Sequence, residues 1–334
     1  DAFSTSGDMT LTKGEGDTSG VYIVMPVTDL SDSTSESLRF SVTNDAYNRV
    51  AVYAVKEYNE ENPAASVRGE KLGTVNIGGK GEYRFDVSDY LATLTEGARA
   101  VFYLEVEKTV GESTVLSQDF EKDYLFRMTK YTSMSGAENH TAGGGKSAAT
   151  TYFSESMILF PYGLSAEDFG RRFRVSFWIK PTADRAVFAR IRTTAHAQST
   201  YMDPCDTTYT PLWDLTVGEW NEVSFDYAIN DPDYVRAGIQ KVGLYIIKSG
   251  AGLRENRRTM DSESETVDTE IMYIDDIVLT EIVTPVTIGI SGTDGAKPGL
   301  VTHPSKKTDA AGGHYGIANG EDADKTLPAL TVSG

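Results

Sequence analysis

Apolar and polar residues alternate along most of this chain with a period of two, which is the signature of strands buried on one face. Leu38-Arg39-Phe40-Ser41-Val42 alternates cleanly, and Val50-Ala51-Val52-Tyr53-Ala54-Val55 reads as a second half-buried strand. Val75-Asn76-Ile77 leads through Gly78-Gly79-Lys80-Gly81 into Glu82-Tyr83-Arg84-Phe85-Asp86-Val87, a hairpin pattern in which glycine supplies the turn. Val101-Phe102-Tyr103-Leu104-Glu105-Val106 closes this set. Only Ser88 to Leu94 reads as helical, with Ser88 as N-cap and Tyr90, Leu91 and Leu94 turned inward. So little helix over so many strands predicts an antiparallel sandwich.

A second set of strands follows. Its clearest members are Phe173–Lys180, Ala186–Arg192, Glu222–Tyr227, Lys241–Ile247 and Glu270–Leu279, separated by Pro-, Gly- and Asp-bearing turns. Short strands at regular intervals predict a second sandwich or jelly roll. Beyond Thr284 the chain becomes rich in Gly, Ala, Asp and Thr, with strands readable at Val286–Ile290 and Ala329–Val332. The fold class expected is therefore all-β: two antiparallel sandwiches in tandem, at residues 1–118 and 119–284, with a Gly/Asp-rich segment at 285–334. That last segment has three open readings. It is part of a third β-domain, a segment lying along one sandwich, or a strand lent to another subunit in self-assembly.

Composition narrows the function. Of 334 residues, 31 are Lys or Arg and 49 are Asp or Glu, a net charge of −18. Such acidity opposes nucleic-acid binding and docking on anionic lipid. No apolar run is long enough to span a membrane. One cysteine, Cys205, excludes an intrachain disulfide. Strong acidity, many Thr, Ser and Asp, and 18 tyrosines suit an exported bacterial protein, placed outside the cell or on its surface. A start at Asp1-Ala2-Phe3-Ser4 is what a removed leader would leave, as would any cut in a longer chain.

Catalytic signatures are missing from the sequence. His140, His196, His303 and His314 show neither HExxH nor His-x-His spacing, and no Gly-x-Ser-x-Gly elbow occurs. Gly143-Gly144-Gly145-Lys146-Ser147 lacks the spacing and the following helix of a phosphate loop, and reads as a turn into a strand. With 49 acids, carboxylate pairs can be drawn anywhere and identify no hydrolase. The chain is expected not to be an enzyme.

The second half resembles the jelly-roll carbohydrate-binding modules of the galactose-binding-like superfamily. The resemblance rests on an ordered series: Asp119-Phe120-Glu121, His140-Thr141 through Lys146-Ser147-Ala148, Phe173–Lys180, Gly218-Glu219-Trp220 through Phe225, and Tyr273-Ile274-Asp275-Asp276-Ile277. It implies a secreted, non-catalytic module that binds polysaccharide. It also implies a structural calcium held by Glu121, carbonyls around Gly143 to Lys146, and Asp275 or Asp276. Adjacent strand residues point to opposite faces, so only one of Asp275 and Asp276 is expected to be buried. The stretch Tyr83–Leu91 followed by Phe102–Glu105 resembles DNRLRE-type secreted sandwich modules, although the motif that gives them their name is absent.

Candidate ligand contacts come from the residues. Trp178 and Trp220 lie in strand patterns and read as core. The stretch Thr194–Trp213 has no strand period yet carries Tyr201, Tyr209 and Trp213 among polar residues, where aromatic faces could stack on sugar rings. Arg190 and Arg192 share the strand face opposite Ile191, and two guanidinium groups there suit a hydroxyl-rich or acidic glycan. The competing expectation is an extracellular structural or adhesive subunit of a pilus, filament or surface layer.

Overall fold

The computed structural model describes residues 8–27, 35–95, 97–121, 127–128, 132–150, 156–164, 168–182, 187–194, 201–202, 210–212, 215–229, 240–248, 271–289, 298–303 and 331–332. It is built almost wholly of antiparallel strands. Two compact units emerge: residues 1–111 with 169–171 and 282–334, and residues 112–168 with 172–281. No helix among the described residues is long and apolar enough to cross a membrane.

The first unit opens with β1 (Met9–Leu11), β2 (Gly20–Pro26), β3 (Ser35–Val42), β4 (Tyr47–Glu57), β5 (Val67–Gly78), β6 (Gly81–Asp86) and β7 (Arg99–Val106). β2, β7, β4 and β5 lie side by side in one sheet, while β3 and β6 belong to the other. Alternation turns Val21, Ile23, Val50, Val52, Phe102 and Leu104 of the first sheet toward Leu38, Phe40 and Phe85 of the second, and this is the core. The single helical turn, α1 (Ser88–Leu91), buries Leu91. Val87 occupies its N-cap rather than Ser88, whose amide and hydroxyl both bond Asp86 (2.9 and 2.6 Å).

The second unit contains β8 (Gly111–Gln118), β9 (Arg127–Met128), β10 (Thr132–Ser135), β11 (Ser147–Thr150), β12 (Ser156–Leu164), β13 (Arg172–Pro181), β14 (Val187–Thr194), β15 (Tyr201–Met202), β16 (Thr210–Leu212), β17 (Asn221–Ala228), β18 (Gln240–Lys248) and β19 (Met272–Val283). One sheet runs β10-β11-β19-β13-β17, with β8 on β19. The other runs β15-β14-β18-β12-β9, with β16 on β14. Every second residue of β13 is buried, so Phe173, Val175, Phe177 and Ile179 meet Ala189 and Leu244 in the core. The unit begins at residue 112 rather than 119, because β8 hydrogen-bonds to β19.

The described strands of 285–334 join the sheets of the first sandwich. β20 (Val286–Ile288) lies between β1 and β3, β21 (Gly299–His303) pairs with β3, and β22 (Thr331–Val332) pairs with β5. Val286 and Ile288 are fully buried there, which holds β20 in place. Its described strands pair within their own chain.

Candidate functional site

The candidate metal ligands fall in a clasp between the start of the second unit and β19. Phe120 takes a left-handed backbone (φ 60°), uncommon for an aromatic residue, and buries its ring in the core. That turn delivers Glu121 to the loop before β11. Its Oε1 accepts hydrogen bonds from the Gly145 amide (2.7 Å), the Lys146 amide (2.8 Å) and Asn139 Nδ2 (2.8 Å). The amides of this loop therefore meet Glu121, where its carbonyls were expected to gather around an ion. A Cβ on Gly144 would fall 2.2 Å from Glu121 Oε1, so the approach requires glycine. Asn139 Oδ1 is buried beside this carboxylate without a hydrogen-bond partner.

Asp275 and Asp276 do not divide between the two faces of the sheet as simple alternation requires. Core positions on β19 are two apart at Met272/Ile274 and at Ile277/Leu279, but three apart across the pair. Asp276 has φ 47°, and the extra residue makes a β-bulge. Both carboxylates consequently reach the same two residues. Asp275, fully buried, accepts from the His140 and Thr141 amides (2.9 and 3.4 Å) and from the Asp276 amide (2.9 Å). Asp276 Oδ2 lies 2.6 Å from His140 Nδ1, and its Oδ1 accepts the Thr141 hydroxyl (2.7 Å). Burial raises the Asp275 pKa, the amide bonds oppose that shift, and the neighbouring Asp276 charge adds to it. The bulge was not legible in the sequence.

His140 is also stacked on Trp178, with ring centroids 3.9 Å apart, and stands edge-on to Trp220 at 5.6 Å. Trp178 and Trp220 are thus half-buried on the outer face, not core residues as their strand patterns suggested. The signal was present: Trp178 follows the buried Phe177 in strict alternation, which puts it outside.

The ligand-contact candidates lie on the other sheet. Arg190 is the register partner of Tyr245 and Arg192 of Gly243. Ala189 and Leu244 are buried in the core, so positions 190 and 192 fall on the face away from it. The stretch Thr194–Trp213, read as loop, contains two short strands. β15 pairs Tyr201 with Thr194, and β16 pairs Thr210–Leu212 with Ala189–Val187. Both lengthen the sheet that carries Arg190 and Arg192. Tyr209 and Trp213 lie outside the described residues.

No protein-family model matches the chain, nor does any curated protein. Solved structures similar to it include the CBM22-1 xylan-binding domain of Paenibacillus barcinonensis Xyn10C, with 12% identity over 53% of this chain and 99% of that one, at a TM-score of 0.35. The tandem CBM22-1-CBM22-2 domains of the same protein align over 78% of this chain and 82% of theirs, with 13% identity and a TM-score of 0.35. The K3 adhesin domain of Lys-gingipain from Porphyromonas gingivalis aligns over 50% of this chain and 98% of its own, with 12% identity and a TM-score of 0.28.

Proposed function

We propose that the second sandwich is a saccharide-binding module without catalytic machinery, working outside the cell, and that the sheet face bearing Arg190 and Arg192 receives the ligand. The observation that carries this reading is the β14 register. It sets two arginine positions on the non-core face, Arg190 across from Tyr245 and Arg192 across from Gly243, with Tyr201–Met202 and Thr210–Leu212 extending the same sheet. Planar guanidinium forks bind vicinal hydroxyls, and aromatic rings cover the CH faces of sugars. The ordered motif series supports the same reading. Screening a glycan array and then titrating the best ligand by calorimetry tests it. Arg190→Ala and Trp213→Ala should each weaken binding severalfold, a loss on the order of 1 kcal/mol. Unchanged affinity in both variants, or a Trp213→Ala chain that no longer folds, overturns the assignment.

We further propose that the clasp holds calcium. The residues fit such an ion: Glu121 keeps Oε2 outside the three bonds to Oε1, Asn139 Oδ1 is buried without a partner, and Asp275 is a fully buried carboxylate. Among the described residues no group of three or more His, Cys, Asp or Glu side chains is placed to hold a metal ion by itself. Amide and backbone oxygens would complete the shell, which suits calcium rather than zinc. When bound, the ion would offset the carboxylate charge and tie the loop before β11 to its neighbours.

A further inference from the structure

The sheet β2-β7-β4-β5 of the first unit has a second face, turned away from its core. On it, Tyr22, Tyr103 and Tyr53 are successive register partners and form one row across three neighbouring strands. Ring centroids lie 4.8 Å apart for Tyr22 and Tyr103 and 6.2 Å apart for Tyr53 and Tyr103, and Tyr58, just past β4, stands 5.8 Å from Tyr22. Tyr103 is buried, while Tyr22, Tyr53 and Tyr58 keep part of their surface in solvent. A Cβ on Gly20 would come within 2.2 Å of the Tyr103 hydroxyl, so the bare strand there lets that ring lie across β2. The Arg68 guanidinium rests 3.8 Å above the Tyr103 ring and bonds Glu105 at 3.0 Å, with nearly half of its side chain exposed. Burial and, after it, the Glu105 carboxylate raise the pKa of Tyr53 and Tyr103.

We propose that this tyrosine row is a second saccharide-binding surface, taking an uncharged sugar chain laid across β2, β7 and β4. The inference does not rest on the Arg190 face. Solvent-facing sheet positions ordinarily carry polar side chains, whereas here rings with hydroxyl tips stand side by side and are fixed by one another. A guanidinium pinned flat between a ring and a carboxylate is a preorganised hydrogen-bond donor. The ligand's neutrality follows from the charges. Arg68 is paired with Glu105, Arg49 and Lys71 are paired with Glu107, and a chain at −18 repels polyanions. The row is also far smaller than the roughly 20–30 residues a stable protein interface engages on each side.

The test uses the full chain with soluble xylan, galactan, mannan and β-glucan, and with polygalacturonate as the charged control. All three tryptophans, Trp178, Trp213 and Trp220, belong to the second unit, whereas tyrosines stand in both, so the tyrosine difference absorbance assigned to this face is the part that Tyr58→Ala removes. At least one neutral polysaccharide should produce that signal, and it should persist in Arg190→Ala, which separates failure here from failure of the other site. Tyr58→Ala and Tyr53→Ala should weaken binding about fivefold or more, and Tyr53→Phe should retain it. If Tyr53→Ala misfolds, Tyr58→Ala in the loop after β4 decides. Unaltered affinity in well-folded Tyr58→Ala, or a change in its sedimentation coefficient from dimer to monomer, overturns the proposal, the latter by showing that the face joins two copies.

Discussion

Tyr83 and Tyr103 have their pKa pushed up to about 12, in both cases chiefly by burial. For Tyr83 the Gly78 amide bond opposes the shift. For Tyr103 Arg68 opposes it, and Glu105 adds to it. Unfolded tyrosines ionise near pH 10, so between about pH 10 and pH 12 the unfolded chain releases protons that these two residues retain when folded. Stability contributed by these hydroxyls is therefore intact below pH 10 and is lost as pH rises toward 12. Melting temperatures recorded from pH 9 to pH 12 should fall steeply for wild type and less for Tyr83→Phe; identical slopes would refute the linkage. The clasp proposed to hold calcium makes a second residue-level prediction. An ion bound only to the folded state stabilises it by mass action, so excess chelator should lower the melting temperature, and Glu121→Gln should abolish the difference. An unchanged melting curve rules the ion out. The acids of this clasp were legible in the sequence as an ordered motif series. Asn139 and the joint grip of Asp275 and Asp276 on His140 and Thr141 were not, because a one-residue bulge leaves no periodic trace.

Strand β20 ties the C-terminal segment into the core of the first sandwich. Its Val286 and Ile288 are buried among Leu11, Leu38, Phe40 and Val42, and two such side chains are worth roughly 3–6 kcal/mol. Against a typical domain stability of about 5–15 kcal/mol, that is a large share. A chain ended at Thr284 should lose the cooperative transition of its first sandwich, followed by calorimetry. The tryptophan-reported transition of the second should persist. Two unaltered transitions would show the strand to be dispensable. The Val286–Ile290 run was readable as a strand from its alternation, but its pairing was not. A three-residue strand from the far end of the chain is placed by the exposed edges of β1 and β3, which are tertiary facts. Composition misled in the same region, since Gly, Asp and Thr dominate around the few apolar residues that anchor it. The short strands β15 and β16 escaped for a similar reason: they are ordered by hydrogen bonds to β14 rather than by any period of their own.

At the scale of the molecule, two sandwiches each present a sheet face that its core does not use. On one stand Tyr22, Tyr53 and Tyr58 around Arg68; on the other fall positions 190 and 192. Rigid sheets offering side chains on a fixed pitch suit repeating ligands, and a net charge of −18 favours neutral ones. The central claim is that the chain holds saccharides without cleaving them. It is tested most directly by titrating an oligosaccharide chosen from the array into the full chain by calorimetry, and assaying the same solution for new reducing ends after prolonged incubation. The account predicts saturable heat that Arg190→Ala diminishes, and no new reducing ends. The absence of binding across the array, or product that accumulates in proportion to protein, would contradict it.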